Sequence, residues 1–490
     1  MISAPILFAL ISVLSFVIIY KAVTLPLTFD EVVTWDRYTT NTSIPNVILA
    51  ADGSSNNHIL NSLSIKVCQF ILGDKPWALR LPNVLSFFLF VISVIALAKR
   101  YFEQSLLLLC LPLICVFLNP YLIDFFSLAR GYGMANAFMA CSISCLLLFS
   151  SGRQMKWYCL TILFAMLAAY SNFTFLIFWA AINILLSGML VNAGFVTIPV
   201  KRAFAITGLL AISFAALCYF PLKNMQQCIQ STFGDHTGFF YDTLLSETNR
   251  FNYGVPLPGL TDKILSMMVC IIGLLSGLNF VLKLRKDLRS ALTDPFNLVF
   301  ILLLLVWALN MLQIYCFNTS YLSGRTALIY YLMFVLVLVF FVRDIAAKNL
   351  LLAQIASGLL SLLLLWHFAV AINLNSVYEW SFDAYTYDVM NTIESYKQQH
   401  PETKKIELNL TSFLHPSFSF YVKTKNLPWF ILANPQSSNI DTTSQTLFYY
   451  TIADHVAELK NYSVVKRFKP NGILLPIVNA GHDQVLLMHK

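Results

Sequence analysis

The chain has 490 residues, 58% hydrophobic and only 11% charged, against about 25% charged in an average soluble domain. A soluble globular enzyme is excluded, and the composition reads as a polytopic α-helical membrane protein whose core is largely lipid-embedded helix. The net charge of +8 does not indicate a nucleic-acid partner, because the basic residues cluster in short connections between apolar runs. The ten cysteines form no Cys-x-x-Cys, so neither a zinc site nor a disulfide framework is indicated.

About eleven spans are expected, near 4–24, 80–98, 105–122, 130–150, 157–171, 173–191, 204–221, 263–283, 296–316, 326–342 and 351–373. Each approaches the roughly 20 residues that cross a bilayer. The first lacks a basic start and a small-residue cleavage site, and is long enough to span, so it is expected to be retained. If it starts inside, the inner loops hold Lys99-Arg100, Arg153 with Lys156, Lys201-Arg202, Lys283, Arg285 and Lys286 with Arg289, and Arg343 with Lys348. Basic residues favour the cytoplasmic side, and this orientation puts three long segments outside.

The first outer segment, 25–79, contains an amphipathic stretch His58–Leu72 suited to lie in the membrane interface. The second, 222–262, is rich in Gln, Thr, Gly, Asn and Pro. The third is the tail. Its composition becomes soluble, which divides the chain into a membrane module at 1–374 and a small extracytoplasmic α/β domain at 375–490. A helical pattern at Phe382–Gln399 precedes strand-like runs at Lys405–Leu410, Thr446–Thr451, Ser463–Phe468 and Ile473–Val478.

The residues that could carry chemistry gather at the outer face. Asp30 and Glu31 follow the first span, where charge near hydrocarbon is costly unless hydrated or paired. Two readings are open: a general base for an acceptor hydroxyl or amine, or a helix cap with an acidic first turn. Asp124, in Asn119-Pro120-Tyr121-Leu122-Ile123-Asp124, surfaces on the same side. It is either an interfacial carboxylate paired with Arg130, or a partner of Asp30 in holding an acceptor or a divalent cation. Arg130, in Arg130-Gly131-Tyr132-Gly133, and Arg325, in Ser323-Gly324-Arg325-Thr326, are outer arginines against the inside bias. They suit a phosphate or snorkel to headgroups, and their glycines allow close backbone approach. His58 could contact a phosphate or a metal, or simply start a helix.

The order of these features resembles the GT-C superfamily of membrane glycosyltransferases, in the branch with protein O-mannosyltransferases and the lipid A aminoarabinose transferase. The residues that carry the likeness are Phe29-Asp30-Glu31, Asn57-His58 with Leu60, Ala78-Leu79-Arg80-Leu81-Pro82, Arg130-Gly131-Tyr132-Gly133 and Gly324-Arg325-Thr326. It covers about residues 1–345. Relatives often carry His-Pro-Pro where this chain has His58-Ile59-Leu60. The resemblance implies a cavity at the outer membrane face and a polyprenyl-phosphate sugar donor, with membrane lipids and a glycan, lipid or protein acceptor as further partners. It implies Asp30 as base, Glu31 in support, and Asp124 as a second acid. The donor phosphate then falls to Arg325, Arg130 and His58, with a divalent metal ion at Asp30 and Asp124 left open. A bacterial inner membrane with an extracytoplasmic site is the implied location. No P-loop or Gly-rich Rossmann fingerprint occurs, which fits a donor without nucleotide. The alternatives are a lipid or glycan transporter or flippase, and a non-catalytic assembly protein. A transporter tends to show internal repeats and mid-membrane charges; here no repeat is found and the charges gather at one face.

Overall fold

The computed structural model describes residues 4–191, 199–229, 236–255, 260–286, 293–433, 441, 443–469 and 483–490. The expected strand at Ile473–Val478 and the inner-loop Arg289 lie outside them. All eleven expected spans coincide with helix. In chain order the first helices are α1 (Ala4–Thr24), α2 (Phe29–Val33), α3 (Ile44–Ile48), α4 (Ile59–Leu72), α5 (Pro76–Tyr101), α6 (Leu106–Phe117), α7 (Pro120–Phe126) and α8 (Gly131–Gly152). Then follow α9 (Met155–Ser171), α10 (Leu176–Val191), α11 (Val200–Ile229), α12 (Ser246–Asn252), α13 (Leu260–Lys286), α14 (Pro295–Phe317), α15 (Leu328–Ala346) and α16 (Leu350–Ala371).

Among the described residues nine helices are long and apolar enough to cross a membrane, and α9 is a shorter apolar helix. The third expected span is broken: α6 and α7 meet at a 64° bend. The cause is local. Pro120 has no N–H to continue a helix, and Asn119 caps the new one, its Oδ1 accepting from the Leu122 N–H at 3.1 Å. The break carries Asp124 out of line with α6. Helix α4 buries Asn61, Ser62 and Ile65 while exposing Val67, Phe70 and Ile71, the two faces an interfacial helix needs. At the end of the bundle opposite Arg325, Lys283 bridges Asp294 at 2.8 Å and Asp344 at 2.6 Å.

The C-terminal part holds α17 (Thr386–Gln399), α18 (His415–Thr424) and a five-stranded sheet. Its strands are β1 (Ile406–Leu410), β2 (Phe430–Leu432), β3 (Phe448–Ile452), β4 (Tyr462–Phe468) and β5 (Gln484–His489), in the order β2-β1-β3-β5-β4. β1 is parallel to β2 and β3, with Leu408 opposite Phe448; β5 is antiparallel to β3 and β4. The patterns at 405–410, 446–451 and 463–468 become β1, β3 and β4. Helix α18 and strands β2 and β5 are additions. The core of this domain runs into the first loop: Trp35 packs edge-on to Phe420 with ring centres 4.8 Å apart, and the Leu27 N–H donates to the Tyr421 hydroxyl at 2.8 Å.

One buried pair fixes the loop that bears Asp30. Arg80, in the second turn of α5, and Glu31, in α2, have side chains with no solvent exposure. The guanidinium meets the carboxylate bidentately, Nε to Oε1 at 2.8 Å and Nη2 to Oε2 at 2.7 Å. Arg80 also donates to the carbonyls of Ala22, Leu25 and Pro26 at 3.2, 2.8 and 2.7 Å, which the end of α1 leaves without intrahelical partners. Glu31 accepts further from the N–H groups of Ala129 and Thr28 at 2.6 and 2.9 Å. Burial by itself would raise the Glu31 carboxyl; Arg80 and these two amides outweigh it and hold it low. Removing one member of a buried pair strands the other charge, at about 3–5 kcal/mol. We expect Glu31→Gln to cost stability of that order, read as a thermal unfolding midpoint in detergent lower by several degrees, and a midpoint within about a degree of the wild type would show that the pair is not structural.

Candidate active site

Adjacent residues on a helix project about 100° apart, so seating Glu31 inward directs Asp30 elsewhere. Its Oδ2 accepts from Arg325 Nη1 at 2.8 Å, with Arg130 Nη2 at 3.6 Å. The Asp30 side chain is 10% exposed and that of Arg325 17%, so Asp30 is buried and its arginine partner half-buried. Arg325 lies in a single helical turn, Gly324–Thr326, before α15. Its guanidinium carbon is 5.1 Å from the centre of the Trp380 ring and 6.0 Å from that of Tyr132.

Arg130 precedes α8 in extended conformation and is fully buried. It donates to the Thr34 hydroxyl and to His58 Nε2, each at 2.9 Å, and to the Asn56 side chain. The two glycines after it mark close approaches. A Cβ on Gly131 would lie 2.1 Å from the Ser171 carbonyl oxygen and 2.9 Å from His58 Cβ; one on Gly133 would lie 2.5 Å from the Phe125 carbonyl oxygen. Because a guanidinium cannot accept, His58 Nε2 must be the acceptor. His58 therefore stands behind Arg130, backing it.

Asp124 belongs to a neighbouring group. It forms a buried ion pair with Lys21 and accepts from the Tyr253 hydroxyl at 2.5 Å and the Tyr378 N–H at 3.0 Å. The expected pairing of Asp124 with Arg130 is replaced by one with Lys21, because α1 and α7 pack together while Arg130 turns to Asp30. Glu379 extends the belt of polar groups, accepting from the Tyr121 hydroxyl at 2.5 Å and from Arg250 Nε at 2.9 Å. Arg250 and Lys263, with Tyr241, Ser246, Asn249 and Asp262, line an open cleft of about 350 Å³. It adjoins Arg325's turn, where the Gly324 N–H donates to the Ser246 hydroxyl at 2.5 Å.

Lys21, Arg80, Arg250, Glu379 and Trp380 are thus site neighbours that sequence reasoning did not select. Lys21 had a signal, as the sole charge in the first span. Arg80 had one in the Ala-Leu-Arg-Leu-Pro run. The others had none. Among the described residues no group of three or more His, Cys, Asp or Glu is arranged for a metal ion. Asp30 and Asp124, the pair considered for a divalent cation, have guanidinium and ammonium partners.

No family model and no curated protein matches the chain. Among solved structures it is similar to ArnT from Cupriavidus metallidurans in the apo state, at 11% identity and a TM-score of 0.44, over 98% of this chain and 97% of that one. ArnT from the same organism bound to undecaprenyl phosphate is similar at 11% identity and a TM-score of 0.41, over 99% and 98%. Likeness this distant leaves the chemistry to the site's own geometry.

Two buried groups give the fold opposite pH responses. Burial, then the charges of Arg130 and Arg325, push His58 well below the usual imidazole range. An unfolded histidine titrates near pH 6.5, so the stability of the neutral form is present above that pH and lost as pH falls toward the folded value. We expect His58→Gln, which keeps an acceptor for Arg130, to flatten the loss of thermal stability between about pH 7 and 5. An unchanged slope would place the acid sensitivity elsewhere. Glu247, in α12, is buried with neither carboxyl oxygen hydrogen-bonded among the described residues. Burial, opposed by Arg250 and reinforced by Glu379, raises it to about 8. Its contribution is present below the unfolded value and lost as pH rises through that window. Glu247→Gln should therefore gain stability over the wild type at pH 8 and not at pH 4, as read by thermal unfolding; a gain that is equal at both would contradict this.

Proposed function

We propose that the protein is a glycosyltransferase that moves a hexose or pentose from a polyprenyl-phosphate donor to an acceptor on the extracytoplasmic face. The observation that carries this reading is the Asp30 carboxylate set between two arginines, 2.8 Å from Arg325 and 3.6 Å from Arg130, with part of its side chain still exposed. The motif order of the first 345 residues supports it. A phosphate binds guanidinium bidentately and competes with Asp30 for Arg325, so donor binding frees the carboxylate as the reactants assemble. Asp30 then takes the proton of the acceptor hydroxyl or amine. The acceptor's lone pair forms the bond to the anomeric carbon. The bond from that carbon to the phosphate oxygen breaks with its electron pair on oxygen. Attack from the face opposite the phosphate inverts the anomeric configuration. Arg325 neutralises the charge that develops on the leaving polyprenyl phosphate, with Arg250 and Lys263 as further cations along the cleft.

In this reading Glu31 and His58 act through Arg80 and Arg130, and Asp124 holds the floor of the site. Asp30→Asn tests the base directly. Expressed at wild-type level and stability, it should lower sugar-bearing product by about 10²–10⁴-fold, measured by mass spectrometry of envelope glycans in cells whose sole copy is the variant. Undiminished product would remove Asp30 as the base.

A further inference from the structure

The segment 372–385 joins α16 to α17, and such a connector ordinarily runs over the surface. Here Asn373, Ser376, Val377, Trp380 and Asp383 are buried. Its side chains and backbone hold a different part of the site in succession. The Tyr378 N–H donates to Asp124 at 3.0 Å. Glu379 accepts from Arg250 and Tyr121. The Trp380 ring lies 5.1 Å from the Arg325 guanidinium carbon. Asp383 Oδ2 accepts from the Phe29 N–H, next to Asp30, and its Oδ1 from the Ser417 hydroxyl, each at 2.7 Å. The seam is close. The void lined by Pro26, Thr28, Arg80, Trp380 and Asp383 is about 10 Å³, near the least space one water needs.

We infer that this strap is the positioning element for the donor phosphate site, with the Trp380 ring setting the Arg325 guanidinium, so that the extramembrane domain is a working part of donor binding; the inference rests on the glycosyl-transfer reading above. The physical reason lies in how a guanidinium is held. An aromatic face attracts the cation and leaves the in-plane N–H edges for carboxylate or phosphate. Asp30 accepts from one of those N–H groups. A ring behind Arg325 therefore lets it exchange Asp30 for phosphate without losing its place. Glu379 holds Arg250 through Nε, and the Tyr378 ring lies 5.2 Å from the Arg250 guanidinium carbon. Gly324, at φ +52°, a left-handed conformation that favours glycine, sits in the Arg325 turn next to the Arg250 and Glu379 side chains.

Trp380→Phe and Trp380→Leu separate a ring face from mere space-filling, since both are smaller apolar residues than tryptophan and only phenylalanine keeps the face. Binding of a polyprenyl monophosphate to the full-length protein in detergent would be read by calorimetry, with thermal unfolding alongside. We expect Trp380→Phe to bind within a few-fold of wild type and Trp380→Leu about tenfold more weakly, at similar unfolding midpoints. Equal affinity in the two variants overturns the positioning role while leaving the donor reading standing. Failure of the wild type to bind polyprenyl monophosphate overturns the donor reading and this inference with it.

Discussion

The arrangement of the candidate site depends on the Arg80–Glu31 pair. Taking two charges out of water is costly, and the cost is offset only where geometry is good and the remaining hydrogen-bonding capacity is met. Both conditions hold. The carboxylate receives four donors within 2.9 Å, two from Arg80 and one each from Ala129 and Thr28. The guanidinium, besides the carboxylate, reaches the carbonyls at the end of α1. A single ion pair thus closes the first span, seats α2 and ties down the approach to α8. Each of these would otherwise leave backbone groups unpaired at the membrane edge, where that is expensive.

With the loop fixed, the neighbouring charges fall into matched sets drawn from distant parts of the chain. Asp30 meets Arg130 and Arg325, Asp124 meets Lys21, and Glu379 meets Arg250. The sets share a wall of aromatic rings: Tyr378 lies 5.3 Å from Tyr253 and 5.9 Å from Tyr121, centre to centre. In each of these three sets the cation is met by a carboxylate. An anion reaching one of these guanidiniums would have to exchange for its carboxylate, which favours a group able to bind bidentately over a diffuse negative surface.

Much of the membrane fold was legible because the bilayer restricts the answers: a span must be apolar, helical and about 20 residues long. The bend at Asn119-Pro120 was hidden inside a run whose hydropathy alone is continuous. In the tail, alternation announced β1, β3 and β4, whereas α18, with its mixed composition, gave no clear period. At the site, sequence reasoning picked out Asp30, Asp124, Arg130 and Arg325 as charges against the local trend. It could not assign their partners. Arg130 is only six residues from Asp124, yet Lys21, 103 residues away, takes that carboxylate, because helix packing and not chain proximity decides the contact. Glu379 and Trp380 looked like ordinary residues of a soluble tail until the strap brought them under the arginines.

Three acidic residues, Asp30, Glu31 and Asp124, differ in what they have left to offer. Both Glu31 oxygens accept two N–H donors each, and its side chain is unexposed. Asp124 is almost equally occupied: Lys21 holds Oδ1, and Tyr253 and Tyr378 hold Oδ2. Removing either from its partners would leave a buried cation unpaired, so neither can cycle through a protonated state cheaply. Asp30 differs in both respects. Its side-chain hydrogen bond within the described residues goes through Oδ2 to Arg325, and it retains 10% exposure. Arg325 itself stays partly exposed, so the bond can be exchanged without unburying a charge. The carboxylate with the weakest structural obligation is thus the one that keeps some exposure and meets a half-buried Arg325, and that asymmetry follows from seating Glu31 first.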